Sequence, residues 1–235
     1  MKKMIALIYK DIIQMKFSLI MNIVLDVIFI VLSIISLFEF KYNPPQETDI
    51  NSIDYAFEFS AQVISFMIVA MITPYSLVMN SVAIDEKSQF TKFILASGGS
   101  RNLIVNEKAL FGVFASIPSF IYMICIPVLL LTSDNPYLTP GLAFGIMFYG
   151  ILTILFLNAL AILYTSAFSS ISNQAIGVII FMIICSLLFG GIFLALNFIG
   201  SNNVFYILYG ISGSLLALTI LLHFGAIKIY KHKDF

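Results

Sequence analysis

Residues 85–108 read DEKSQFTKFILASGGSRNLIVNEK, a long polar stretch inside an otherwise apolar chain. Side chains three and four positions apart meet on one side of a helix, so the spacing of the larger residues predicts a short helix with one apolar face. That face is formed by Phe90, Phe93, Ile94 and Ser97. The rest of its surface is expected to be solvated by Asp85, Glu86, Lys87 and Lys92.

A pair of glycines is predicted to end this helix. Glycine accepts the left-handed backbone that commonly follows a helix C-terminus, and Gly98-Gly99 stands at that position. Ser100 can then cap a second helix, which runs through Lys108 into an apolar span. We therefore predict a helical hairpin over residues 80–108. A solvated loop with no special role is the alternative.

The composition indicates a protein that crosses a membrane several times. The chain has 235 residues, of which 60% are hydrophobic and 10% charged, with a mean hydropathy of +1.04 and no net charge. A soluble domain typically carries about 25% charged residues. Cys125 and Cys185 both lie within apolar segments, and their spacing is not that of a metal site or a disulfide framework. We predict that both are small apolar core residues.

Six apolar segments approach the roughly 20 residues that are needed to cross a bilayer. They cover residues 19–38, 57–79, 110–132, 141–163, a segment from about 174 that Gly190-Gly191 interrupts, and 204–227. Pro74 is expected to kink the second segment, and Pro118 and Pro127 the third. The predicted fold is all-α, with an N-terminal interfacial helix and six transmembrane helices in a single domain over residues 1–235.

Residues 1–17 are predicted to form that interfacial helix. Helical spacing gives them one apolar face, made of Met4, Ile5, Ile8, Ile12 and Met15. The opposite face carries Lys3, Lys10, Asp11 and Gln14. An amphipathic helix of this kind lies in the plane of the membrane surface. An ordinary positively charged extension of the first span is the alternative.

Polar residues recur near one face of the first span, among them Asn22, Asp26 and Ser33. An aspartate at mid-membrane depth costs about 2.5–3.5 kcal/mol on insertion scales, so Asp26 must face protein or water rather than lipid. Two roles fit the pattern equally. The three residues line a path for a substrate, or they clamp the first span to a neighbouring one.

The distribution of basic residues predicts the orientation in the membrane. Eleven of them lie in the first, third and last polar segments: Lys2, Lys3, Lys10, Lys16, Lys87, Lys92, Arg101, Lys108, Lys228, Lys231 and Lys233. Lys41 is the single basic residue on the opposite side. The positive-inside rule therefore places both termini, the hairpin and a tail at residues 228–235 in the cytoplasm.

The sequence lacks the patterns of the common catalytic sites. It contains no GxxxxGK[ST] phosphate loop, no HExxH and no Gly-x-Ser-x-Gly. Its two histidines, His223 and His232, lie in the last span and the tail, and no buried carboxylate that could make His223 a base is evident near it. Polybasic motifs for nucleic acid are also absent. We predict a membrane protein that is not itself an enzyme.

The hairpin resembles the loop between the second and third spans of ABC-2-type transporter permeases. Asp85-Glu86-Lys87 corresponds to a charged cluster, residues 93–97 to an aliphatic run, Ser100-Arg101 to a turn, and Lys108 to a lysine seven residues later. The sequence departs from the pattern at three positions, with Gly98 for proline, Gln89 for glycine and Lys87 for a second acid.

The resemblance implies a coupling helix that seats on a separate ATPase subunit. The coupling residues would be Asp85, Glu86, Lys87, Phe90, Phe93, Arg101 and Lys108. It also implies the ABC-2, type V exporter-like fold, a second permease copy in a homodimer or heterodimer, and ATP and Mg²⁺ bound by the partner ATPase. The small outer loops look like those of the subgroup that exports peptide toxins, bacteriocins or phenol-soluble modulins from the bacterial cell membrane. The competing hypothesis is an ion-coupled carrier or channel that works without an ATPase.

Overall fold

The computed structural model describes residues 2–42, 51–132, 139–168, 179, 183–184, 187–188 and 201–232. These parts are almost entirely helical and contain no strand, which confirms the predicted all-α class. Eight helices are described, namely α1 (Lys2–Gln14), α2 (Lys16–Tyr42), α3 (Asn51–Lys87), α4 (Phe90–Ala96), α5 (Arg101–Ala115), α6 (Ile117–Thr132), α7 (Pro140–Ala167) and α8 (Ser201–His232).

Four of these helices contain a segment that is long and apolar enough to cross a membrane. The segments are Lys16–Ser36 in α2, Ile68–Lys87 in α3, Pro140–Ala167 in α7 and Tyr206–His232 in α8. The bent pair Arg101–Ala115 and Ile117–Val128 makes a fifth if it forms one span. Length and composition therefore support a multi-span membrane protein. The predicted fifth span, from about residue 174 and including Gly190-Gly191, lies mostly outside the described residues.

The bend between α5 and α6 occurs at Ser116 and measures 45°. Proline cannot donate a backbone hydrogen bond, and its ring clashes with the carbonyl four residues earlier. Pro118 lies in the first turn of α6, where proline is tolerated. The predicted bend in this segment is thus observed beside Pro118, whereas α6 continues through Pro127.

The hairpin has the predicted turn chemistry. The backbone of Gly98 is left-handed, with φ at 78°, and the Gly99 N–H donates to the carbonyl of Ile94 at 2.9 Å. The side chain of Ser100 accepts a hydrogen bond from the Leu103 N–H at 3.2 Å and so caps α5. The turn sends α5 back along α3, which brings Lys108 to Asp85.

We expect Gly99→Ala to destabilise the hairpin, because a Cβ at this position would lie 2.8 Å from the carbonyl oxygen of Ile94. The backbone must then shift and weaken the turn, at a cost of about 1–3 kcal/mol. Gly98→Asn is the matched control, because asparagine tolerates left-handed backbone and a Cβ there meets no atom within 4 Å. Thermal unfolding in detergent checks both variants. Equal melting temperatures for Gly99→Ala and the parent would contradict the prediction.

The inward face of α1 differs from the predicted apolar face. Leu7, Asp11 and Met15 are buried, whereas Ile5 is 57% exposed. Asp11 was expected on the solvated side, as was Asp85 in the hairpin, yet their exposures are 0% and 3%. Both expectations were wrong, because each carboxylate pairs with a buried lysine from α5.

Helix α2 is turned inside out relative to a helix of a soluble protein. Among the side chains of α2 that are described, the buried ones are the polar Asn22, Asp26 and Ser33. Apart from Lys16 at the first position, the exposed ones are isoleucine, valine, leucine, methionine and phenylalanine. This distribution suits a helix whose outer surface faces lipid, since polar side chains in a membrane turn toward the protein.

The core lies along α7, which packs against α8, α3 and α6. Its largest fully buried side chains include Phe111, Tyr122, Met123, Ile126, Ile154 and Leu157. Residues of both α5 and α6 contribute to this core, so the bent pair is packed into the bundle along its length.

Candidate functional site

Five ionisable side chains come together where α1, α3 and α5 meet. We call them the charged cluster: Lys10, Asp11, Asp85, Glu107 and Lys108. Four of the five residues are at most 3% exposed, and Lys10 is half-buried. Partners come from parts of the chain up to 97 residues apart. Charged groups are almost never buried to this extent unless they are paired.

Lys108 is the centre of the charged cluster. Its Nζ lies 2.5 Å from Asp11 Oδ2, 2.7 Å from Asp85 Oδ2 and 2.6 Å from the Ser81 Oγ. An ammonium group has three hydrogens to donate, and each of these contacts can take one. Ser81 Oγ in turn donates to Asp11 Oδ2 at 2.8 Å. The lysine therefore joins α5 to α1 and α3.

Lys10 connects the charged cluster to the hairpin helix α4. Its Nζ pairs with Asp11 Oδ1 at 2.9 Å and hydrogen-bonds Asp85 Oδ1. The same nitrogen lies 4.0 Å from the centroid of the Phe90 ring, within the range of a cation–π interaction. This contact joins Phe90 of α4 to Lys10 of α1, so α4 is attached to the helix bundle.

Asp11 carries its negative charge in this setting. Burial by itself raises the pKa of its carboxyl group, but its interactions with Glu107 and with the positive charge of Lys108 outweigh burial and lower the pKa to about 2. Opposite charges and hydrogen bonds to the ionised form both favour the carboxylate. A pKa this far below neutral favours the ionised form of Asp11.

Three carboxylates of the charged cluster have the spacing of metal ligands. One oxygen from each of Asp11, Asp85 and Glu107 lies within 4.8 Å of the other two. The Lys108 ammonium already lies in contact distance of Asp11 and Asp85, with Lys10 on the other side. A divalent cation would meet two positive charges there, so the lysines take the place of a metal.

The predicted coupling residues separate into two groups. The structure brings Asp85, Lys108 and Phe90 together through Lys10. The other four lie outside the charged cluster. Glu86 is half-buried beside Tyr164, Lys87 is exposed, Phe93 is 66% exposed, and the Arg101 guanidinium donates to the backbone carbonyl of Lys231 at the end of α8.

The predicted path residues all contact α5 or α6. Asn22 Nδ2 donates to the Ala115 carbonyl at 3.0 Å, and Asp26 Oδ2 accepts from Ser119 Oγ at 3.1 Å. The Ser33 hydroxyl lies 3.2 Å from the hydroxyl of Tyr122. These contacts have the geometry of a clamp between α2 and the bent α5–α6 pair.

The same bend is held from the opposite side by α7. Asn158 Nδ2 donates to Ser116 Oγ at 2.8 Å and to the Gly112 carbonyl at 3.2 Å. The Gly112 carbonyl also accepts from the Ser116 N–H at 3.0 Å and from the Ser116 Oγ at 2.7 Å, so Asn158 adds a further donor at the bend. The hydrogen bonds of Asn22 and Asn158 therefore stabilise the bend from both sides.

Sequence reasoning missed Lys10, Asp11, Ser81 and Glu107 as members of the site. One signal was available, because Glu107-Lys108 is a charged pair at the edge of an apolar span and Lys10-Asp11 is a second pair near the first span. Which of these pairs meet depends on how α1 lies against α5. Only the fold specifies that arrangement.

No protein-family model, no curated protein and no solved structure matches this chain. The features of this chain that bear on its function are the charged cluster, the exposed surface of α4 and the resemblance of the hairpin sequence.

Proposed function

We propose that this chain is the permease subunit of an ATP-driven ABC exporter of the ABC-2 type in a bacterial cell membrane. It works as two permease copies, in a homodimer or heterodimer, coupled to separate ATPase subunits that bind ATP and Mg²⁺. The cargo is an amphipathic peptide or toxin. The multi-span helical build and the resemblance of residues 85–108 support this proposal.

The observation that carries it is the position of Phe93. This side chain is 66% exposed on the seven-residue helix α4, and its ring stacks on Phe90 at a centroid distance of 6.3 Å. A large aromatic side chain displayed at the surface beside the exposed Lys92 suits a docking anchor for another protein. In the predicted orientation this surface faces the cytoplasm, where an ATPase works.

The contacts between α4 and the rest of the protein suit a helix that transmits force. Thr91 is buried, and the Phe90 ring contacts Lys10. Lys10 hydrogen-bonds Asp85, which in turn pairs with Lys108. A push on Phe93 would therefore move α1, α3 and α5 together rather than bend a loop. Rigid-body motion of packed helices around a central path is the expected form of alternating access.

We expect Phe93→Asp to abolish co-purification of the ATPase while leaving membrane insertion intact. An aromatic anchor that becomes buried when the partner binds contributes about 2 kcal/mol or more to binding. An aspartate at this position would also place an unpaired charge in the interface. The loss corresponds to at least about thirtyfold in affinity. Because Phe93 is exposed, its replacement should not change the melting temperature of the isolated permease.

Phe93→Leu is the control, because leucine keeps an apolar anchor and should retain most of the ATPase. The measurement is the amount of ATPase recovered per permease after purification in mild detergent from the native membrane. Retention of the ATPase by Phe93→Asp, with a native melting temperature, would refute the coupling role of α4. A parent chain that never recovers an ATPase would refute the proposed function as a whole.

One observation favours the second candidate, an ion-coupled carrier or channel. Asp26 is 2% exposed in a candidate membrane span, and its Oδ1 has no hydrogen-bond partner among the residues that the structure describes. A carboxylate in that position suits reversible binding of an ion. Transport that follows an ion gradient without ATP and is lost in Asp26→Asn would select this candidate.

A further inference from the structure

The charged cluster contains one acid more than it has bases. Its carboxyl groups come from Asp11, Asp85 and Glu107, and its ammonium groups from Lys10 and Lys108. If all five groups were ionised, the charged cluster would have a net charge of −1. An uncompensated charge in a buried site costs several kcal/mol, so such sites bind a proton or a counter-ion instead.

The surplus charge falls on Glu107. Lys108 donates to Asp11 and Ser81 and pairs with Asp85, but it lies 3.6 Å from Glu107 Oε2, beyond hydrogen-bond distance. Glu107 is 2% exposed, and its Oε1 has no hydrogen-bond partner among the described residues. An ionised Glu107 would therefore have no hydrogen-bond donor at Oε1 and only a distant cation at Oε2.

A neighbouring carboxylate is ready to accept a hydrogen bond. Asp11 Oδ1 is also buried without a hydrogen-bond donor in the described part of the chain, although Lys10 pairs with it at 2.9 Å. One oxygen of Glu107 lies within 4.8 Å of an oxygen of Asp11, and two carboxylates this close repel each other when both are ionised. If Glu107 is protonated, its O–H can donate a hydrogen bond to Asp11, and the repulsion between the two carboxylates is removed.

Among the described helices around Glu107, no positive charge beyond those of Lys10 and Lys108 is found to balance its carboxylate. Helix α1 presents Lys10 and Asp11, α3 presents Asp85, and α5 itself presents Lys108. From α8, Tyr230 lies beside Asp85 and Lys108, together with the neutral Thr91 of α4 and Thr165 and Ser166 of α7. His223 of α8 bonds Asn106 at 3.1 Å, and α6 contains no charged residue.

We propose that the charged cluster is a proton-binding site, in which Glu107 holds one exchangeable proton and donates it as a hydrogen bond to Asp11. In this state the cluster is neutral and α1 is locked to α5. Loss of the proton leaves Glu107 and Asp11 as adjacent buried anions and loosens α1 from the bundle. The stability of the α1–α5 contact therefore depends on cytoplasmic pH, independently of what the protein transports.

The sign of the effect follows from counting protons. An exposed glutamate in the unfolded chain releases its proton above about pH 4.3, whereas folded Glu107 keeps it. The folded state then binds more protons than the unfolded state, so stability falls as pH rises. For one proton, the equilibrium constant for unfolding increases by up to about tenfold per pH unit until Glu107 itself ionises.

The test compares the full-length chain with Glu107→Gln, whose amide has the shape of a protonated glutamate and can donate the same hydrogen bond to Asp11. Unfolding in mixed micelles is measured from about pH 5 to about pH 9, the range above the pKa of an exposed glutamate. We expect the variant to lose the alkaline destabilisation of the parent. Glu86→Gln is the control. Glu86 follows Asp85 in the sequence but lies outside the charged cluster, so this variant should keep the pH dependence of stability of the parent.

Infrared spectroscopy gives a second readout that does not depend on folding of the variant. The parent labelled with ¹³C-glutamate should show a shifted carbonyl band of a protonated glutamic acid at neutral pH. The absence of that band, together with equal pH slopes for parent and Glu107→Gln, would overturn the proposal. So would a rise in stability on adding Na⁺, K⁺ or Mg²⁺ at constant pH that Glu107→Gln lacks, because the site would then hold a metal cation.

Discussion

Lys108→Met is expected to destabilise the folded chain by about 3–5 kcal/mol, the cost of removing one partner from a buried ion pair. The variant leaves Asp11 and Asp85 buried, at 0% and 3% exposure, with Lys10 as their remaining cation. Ser81 also loses the donor that lies 2.6 Å away. We expect little monodisperse protein in mild detergent and a large fall in the melting temperature of what remains.

A neutral double variant separates the missing charge from the missing side chain. Combining Lys108→Met with Asp85→Asn leaves the Lys10–Asp11 ion pair, 2.9 Å apart, and should recover most of the lost stability, since neutral replacements of buried ion pairs are often tolerated. Lys92→Met is the surface control, because Lys92 is exposed on α4 and should matter by less than about 0.5 kcal/mol. A near-native melting temperature for Lys108→Met alone would show that the charged cluster does not hold α5 in place.

Gly112→Leu is expected to cost about 1–3 kcal/mol through overpacking where α5 crosses α3 and α7. A Cβ at this position would lie 3.0 Å from Val78 Cγ2 and 3.4 Å from Asn158 Cγ, so a leucine has no space on either side. It would also push Asn158 away from the Gly112 carbonyl and Ser116, which loosens the bend at Ser116. The melting temperature in detergent measures the combined loss.

Two further variants give this prediction a sharp form. Gly213→Leu in α8 makes the same exchange where a Cβ meets no atom within 4 Å, so it should be tolerated. Gly112→Ala combined with Val78→Ala removes the closest contact and should be more stable than Gly112→Ala alone. If Gly112→Leu and Gly213→Leu melt alike, α5 does not cross α3 and α7 at the distance described.

The amino-acid sequence by itself determined the all-α class and the local turns. Long apolar segments can satisfy their backbone in a membrane only as helices, which is why an all-α, multi-span chain could be predicted from composition and length. The turn at Gly98-Gly99 and the Ser100 cap are equally local, because they depend on backbone conformations that few residues adopt. The proposed ATPase coupling, the orientation and the count of six spans remain predictions.

Only the tertiary structure decided which polar residues meet. Helical periodicity assigned Asp11 to the outer face of α1 because it assumes that charges face water, whereas a lysine from α5 supplies a partner inside. In the same way Asp85 was predicted in solvent and is buried against Lys108. An ion pair between residues 97 positions apart has no signature in local sequence, since its stability depends on the packing that brings both groups out of water together.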